Sequence, residues 1–100
     1  MKKIKKTKII ATLGPATSST DIIKKIIKEG VDVLRINFSH SSHNEAKALI
    51  KEIRKINSEF NTNTSILADL QGPKLRIGEI IQGTSLDVGS KLKIKTGKEF

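Results

Sequence analysis

The chain has 100 residues, 36% hydrophobic and 29% charged, which is the composition of a small folded domain and not of a disordered segment. No apolar run approaches the roughly 18 residues of a membrane helix, no long apolar stretch follows the basic start as in a secretory signal, and the lack of Cys excludes disulfides, thiolate chemistry and Cys-type zinc sites. The net charge of +9 collects at the two ends, in Lys2, Lys3, Lys5, Lys6 and Lys8 and in Lys91, Lys93, Lys95 and Lys98, whereas residues 9–90 carry ten basic against nine acidic side chains.

Residues 8–13 (KIIATL) are short, apolar and partly β-branched, and Gly14-Pro15 stops them, so they predict a buried strand running into a loop. Ser18 and Asp21, three apart, predict a capping-box-like helix start. Ile22, Ile23, Ile26 and Ile27 then recur at helical spacing, with Lys24, Lys25 and Lys28 on the wet side and Gly30 placed at the C′ position. Residues 31–38 (VDVLRINF) predict a second strand. Ser42 and Glu45 open a second helix, whose inner face is Ala46, Leu49, Ile50, Ile53 and Phe60, widened by Ile56. A polar loop over 61–64 leads to a third strand at 65–70 (SILADL). This β-α-β-α-β order predicts an α/β protein with parallel strands and crossover connections.

The pattern changes after Gly78. Residues 84–95 alternate apolar and polar, at Leu86/Val88 and Leu92/Ile94 around Gly89-Ser90, which predicts a half-buried antiparallel hairpin. Three parallel strands with two helices cannot cover both faces of a sheet, and a lone hairpin is marginal. The chain is therefore expected to be the beginning of something larger.

Alternation along the second strand puts Val31, Val33, Arg35 and Asn37 on one face and Asp32, Leu34, Ile36 and Phe38 mainly on the other. The first face turns polar only towards its carboxyl end, where Arg35, Asn37 and Ser39 converge; in barrels and open parallel sheets that edge is where ligands bind. The alternative is structural: Arg35 paired with Asp32 or another carboxylate, and Asn37 and Ser39 capping a turn. The third strand repeats the design. Asp69 stands at its carboxyl end, ahead of Gly72, Pro73, Lys74 and Arg76, a combination suited to phosphate and a cation. His40 and His43 lack a well-placed acidic partner and are expected to be loop histidines, not zinc ligands.

At these strands the sequence resembles the pyruvate kinases, in residues 7–17 (TKIIATLGPAT), 30–40 (GVDVLRINFSH) and 67–78 (LADLQGPKLRIG). The resemblance implies that residues 1–78 are the amino-terminal part of a (β/α)8 TIM barrel, giving its first three strands and two helices, and that residues 79–100 begin an inserted small β domain. It implies phosphoryl transfer from phosphoenolpyruvate to ADP, yielding pyruvate and ATP, with Mg²⁺ and commonly K⁺. By resemblance Arg35 binds substrate phosphate, Asn37, Phe38, Ser39, His40 and Arg76 face the nucleotide, and Asn37, Ser39, Asp69 and Leu70 hold the monovalent cation. The family's catalytic Lys and its acidic Mg²⁺ ligands match positions beyond Phe100, so the 100 residues alone are expected to be inactive. Where much of the family has Thr-Lys-Gly-Pro-Glu-Ile-Arg-Thr, this chain has Leu70-Gln71-Gly72-Pro73-Lys74-Leu75-Arg76-Ile77. Lys74 replaces an acid with a base, and its ammonium is expected to stand in for the monovalent cation. A cytoplasmic homotetramer with no membrane or nucleic-acid partner completes what the resemblance implies.

A different class of reading is a basic α/β module that binds nucleic acid or an acidic partner through its Lys-rich ends. Phe38, Phe60 and Phe100 are the only aromatics and none lies within a basic cluster, so a base-stacking platform is poorly supported. The ordinary account of the leader is a solvated run of lysines.

Overall fold

A computed structural model describes residues 4–73 and 75–96. Within them the chain runs through β1 (Ile10–Thr12), a 3-10 turn (Pro15–Thr17), α1 (Thr20–Lys28), β2 (Val33–Asn37), α2 (His43–Phe60) and β3 (Ser65–Asp69). The strands form one parallel sheet in the order β1-β2-β3, with Thr12 opposite Arg35 and Asn37 opposite Asp69. The βαβαβ expectation holds, although each strand is shorter than the apolar run that predicted it.

Helix α1 begins one residue later than Ser18 and Asp21 implied. The Gly14 amide donates to Thr17 Oγ1 (2.9 Å), and the Thr17 amide donates to the Gly14 carbonyl (2.9 Å). That 3-10 turn takes Ser18 as its own C-cap and leaves Ser19 as the N-cap of α1, so the expected Ser18–Asp21 box does not form. The far end is as expected. Gly30 adopts φ +94°, its amide donates to the Ile27 carbonyl (3.1 Å), and the Val31 amide reaches the Ile26 carbonyl (3.4 Å). This paired closure needs a left-handed residue, which favours glycine at position 30. Helix α2 opens with the full Ser42–Glu45 capping box and closes on Asn61 in the left-handed region.

Asn57 shapes the turn from α2 into β3. Its Nδ2 donates to the Thr64 carbonyl (2.9 Å), while its Oδ1 accepts from Thr62 Oγ1 (2.7 Å) and from the Thr64 amide (3.2 Å). Thr64 is buried and donates its hydroxyl to the Val31 carbonyl (3.3 Å), so its polar groups are paired where water is excluded.

Both helices pack on one face of the sheet. Leu34 and Ile36 of β2 meet Ile23 and Ile27 of α1 and Ile53 and Ile56 of α2 in a single buried cluster. Each such side chain contributes about 1.5–3 kcal/mol on leaving water. The other face carries Ile10, Val33 and Ser65 at its amino end, then Thr12, Arg35 and Leu67 abreast, and Asn37 and Asp69 at its carboxyl end. Ile10 and Leu67 are exposed, so this face has no cover among the described residues.

The expected hairpin over 84–95 is not formed. Residues 70–96, where described, are exposed and without strand pairing, and show only turns closed by Thr84 donating to Ile81 and Ser90 donating to Asp87. Period-two alternation needs a neighbouring strand and a surface to cover it, and neither is present among the described residues. Lys74 and residues 1–3 and 97–100 lie outside the described residues.

Candidate functional site

The carboxyl edge of the sheet brings together side chains from all three strands. Arg35 on β2 reaches in two directions: NH1 donates to Thr12 Oγ1 on β1 (3.2 Å) and NH2 pairs with the Asp69 carboxylate on β3. The register explains this. Thr12 stands directly across from Arg35, while Asp69 is one same-face position further along β3. Of the two accounts open for Arg35, the structure shows an ion pair, with Asp69 and not Asp32 as partner. Two of its nitrogens are engaged, and the remaining N–H groups face no acceptor among the described residues.

Asn37 ends β2 and caps the turn that follows. Its Oδ1 accepts from the Ser39 amide (2.9 Å), and its carbonyl accepts from the His40 amide (3.2 Å). This is an Asx turn, the structural account for Asn37. Phe38 donates its amide to the Asp69 carbonyl (3.0 Å) and sets its ring edge-on to His43, centroids 6.2 Å apart. Ser39 and His40 therefore sit on a turn tied to the same edge as Arg35. A cleft of about 810 Å³ adjoins it, lined by Thr12, Gly14, Pro15, Asn37, His40 and Glu45. The capping bonds hold Glu45: the Ser42 amide, and then the Ser42 hydroxyl, keep its carboxyl below the ordinary value, outweighing the opposing effect of desolvation. Leu70 and Arg76 are exposed in the segment after β3, and Arg76 makes no hydrogen bond or ion pair with the described residues. Lys74 lies outside them.

The opposite, amino edge has its own cavity of about 630 Å³, in which Asp32 is tied to lysines of the leader. Asp32 accepts from the Ile9 amide (2.9 Å) and from Lys5 Nζ (2.9 Å), with Lys8 3.7 Å away. The Ile9 amide first, then Lys5, hold the Asp32 carboxyl below its ordinary value against the desolvation that would raise it. Lys28 lies 4.7 Å over the Phe60 ring. The reading of the leader as simply solvated is thus corrected for Lys5, which also donates to the Gly30 carbonyl and fastens the leader to the sheet. Asp32 drew no attention in the sequence as a partner for lysines more than twenty residues away. Thr12 was missed altogether, since only the parallel register reveals what it faces.

A parallel α/β layer with both helices on one face, and polar side chains gathered at the carboxyl ends of its strands where sheets of this kind carry their ligand sites, defines an α/β protein of the parallel-stranded class. Known proteins agree. A family model described as "PK: Pyruvate kinase, barrel domain" matches residues 4–100. Among similar proteins, the pyruvate kinase of Methylorubrum extorquens is 46% identical over 100 residues, covering 100% of this chain and 20% of the relative. That of Buchnera aphidicola is 44% identical over 90 residues, covering 89% of this chain and 19% of the relative. Pyruvate kinase 2 of Synechocystis is 41% identical over 96 residues, covering 96% and 15%. The chain belongs to the pyruvate kinase family, and it spans a fifth or less of the length of these relatives.

Proposed function

We propose that the chain is the amino-terminal part of a pyruvate kinase, which in complete form transfers the phosphoryl group of phosphoenolpyruvate to ADP and releases pyruvate and ATP. The observation that carries this reading is Arg35, fixed between Thr12 and Asp69 at the carboxyl edge with N–H groups to spare. Phosphoryl transfer asks a protein mainly to position oxygens and neutralise their charge, and a restrained guanidinium does both. In this reading residues 1–78 open a (β/α)8 barrel, whose later strands cover the face bearing Ile10, Val33 and Leu67. Residues 79–100 open the inserted β domain. Arg35 takes the phosphate of phosphoenolpyruvate, while Asn37, Phe38, Ser39, His40 and Arg76 serve the nucleotide.

The edge fits a monovalent cation in donor chemistry. The Asn37 amide oxygen, the Ser39 hydroxyl, the Asp69 carboxylate and the Leu70 carbonyl are hard oxygen donors on adjoining strand ends. Bound there, a cation would supply positive charge beside the transferred phosphoryl group. Mg²⁺ finds no comparable set: the described residues hold no cluster of three His, Cys, Asp or Glu that could hold a metal ion. Its ligands in this reading come from elsewhere in the complete protein, as does the catalytic Lys. The ammonium of Lys74, by its place in the sequence, takes over the cation's role. A cytoplasmic homotetramer is the corresponding assembly; no helix among the described residues is long and apolar enough to cross a membrane.

The test is formation of ATP from phosphoenolpyruvate and ADP by the complete gene product. It is expected to turn over with Mg²⁺, to lose phosphoenolpyruvate binding in Arg35→Ala, and to show no turnover as residues 1–100 alone. A complete protein without activity, or an active 100-residue chain, would overturn the reading.

A further inference from the structure

We infer that Thr12 is a positioning residue for substrate phosphate, acting through Arg35. The inference rests on the pyruvate kinase reading above and deepens it. Arg35 is drawn towards β3 by an ion pair with Asp69, and a long side chain held by a single partner can swing about that contact. Thr12 supplies the opposing hold. It lies on the other neighbouring strand, in register with Arg35, and its Oγ1 accepts from NH1 while Asp69 takes NH2. A planar guanidinium fixed at two different nitrogens by groups on opposite sides has its plane set, and so are the directions of its remaining N–H bonds. The β-branch of Thr12 adds to this, because threonine on a strand has few χ1 choices and carries its hydroxyl at a defined place.

Thr12 also lines the cleft shared with Asn37 and His40, so the residue that holds the arginine borders the cleft as well. A hydroxyl that accepts from arginine keeps its own proton to donate. Its orientation follows the guanidinium, which gives Thr12 a stake in the phosphate held by Arg35 without requiring contact with the rest of the ligand.

Thr12→Val keeps the β-branched shape and strand preference and removes only the hydroxyl, whereas Thr12→Ser keeps the hydroxyl. In the complete enzyme, Thr12→Val is expected to raise KM for phosphoenolpyruvate roughly five- to tenfold, the size of one ordinary hydrogen bond, because the lost bond acts on the ligand only through Arg35, with KM for ADP moving less than about twofold. Thr12→Ser is expected to bring the phosphoenolpyruvate KM back to within about twofold of the parent. Combined with Arg35→Lys, Thr12→Val is expected to add nothing, since the interaction it serves is already gone. An unchanged phosphoenolpyruvate KM in Thr12→Val, equal effects on both substrates, or full additivity with Arg35→Lys would each overturn the inference while leaving the enzyme reading intact. Lack of turnover by the parent protein would instead remove the enzyme reading, and this inference with it.

Discussion

Arg35→Lys isolates what the guanidinium contributes beyond its charge. In the structure Arg35 spans from β1 to β3, with one nitrogen on the Thr12 hydroxyl and another on the Asp69 carboxylate. An ammonium is a single point and cannot satisfy both partners while presenting a planar set of further N–H groups. Once it settles on Asp69, at least one hydrogen bond to the phosphate is lost. A charge-assisted bond of that kind is worth about 1.5–3 kcal/mol, which corresponds to a roughly ten- to hundredfold weaker hold on phosphoenolpyruvate. Stability responds differently. The Arg35 and Asp69 side chains are 30% and 44% exposed, so water screens their attraction, and replacing it is expected to cost the fold less than about 1 kcal/mol. The assay is steady-state kinetics of the complete enzyme against phosphoenolpyruvate at saturating ADP, alongside a thermal unfolding curve. An Arg35→Lys enzyme with phosphoenolpyruvate KM within about twofold of the parent would refute the claim that the fork matters. A large fall in unfolding temperature with proportionate loss for both substrates would show that the arginine holds the fold and not the ligand.

Three further outcomes follow from particular contacts. The Asp32 carboxyl titrates below its ordinary value of 3.8, so its contacts with Ile9 and Lys5 stabilise the fold above that pH and are lost as pH falls through the lower, folded value. Asp32→Asn is expected to be less stable than the parent near neutrality, with the difference shrinking below pH 3.8 in acid unfolding curves and the Ile9 amide exchanging faster with solvent. Ser42→Ala removes the acceptor for the Glu45 amide and is expected to cost about 1 kcal/mol by thermal or denaturant unfolding; a change close to zero would mean that water replaces the cap in full. Replacement of the monovalent cation by Lys74 predicts nearly flat activity when K⁺ is added to a buffer free of sodium and potassium, and many-fold activation would rule that replacement out.

What could be read from sequence was local and periodic. Alternation along residues 31–38 sorted Leu34 and Ile36 from Arg35 and Asn37, and the structure buries the first pair and leaves the second on the uncovered face. The Ser42–Glu45 box and the Gly30 stop depend on neighbours within one helical turn, and both form. The readings that failed needed information from elsewhere. Ser18 lost its helix to a 3-10 turn made by Gly14 and Thr17, which takes Ser18 as its C-cap and turns the Ser18 hydroxyl back to the Pro15 carbonyl (3.3 Å). The hairpin over 84–95 had the right alternation but no adjoining strand to pair with among the described residues. Lys5 looked like one of several solvated lysines until the chain brought it 2.9 Å from Asp32. Thr12 and Asp69 became partners of one arginine only through the parallel register, which spacing along the chain does not encode.

The two edges of the sheet use the same chemistry for opposite ends. Each places an aspartate, Asp32 just ahead of β2 and Asp69 at the end of β3, against basic side chains contributed from elsewhere in the chain. At the amino edge, Asp32 meets two lysines and a backbone amide, and Lys5, bonded also to the Gly30 carbonyl, fastens the leader while Lys8 stays largely in water. At the carboxyl edge, Asp69 meets one arginine whose donors outnumber the partners supplied, and the surplus has no acceptor among the described residues. On the proposed function the first set serves to hold the leader to the sheet, and the spare donors of Arg35 serve a phosphate. On that proposal this contrast, and not the total of +9, separates a binding edge from a basic surface: the leader lysines supply most of the charge near the amino edge, yet the phosphate-binding role falls to one arginine at the carboxyl edge.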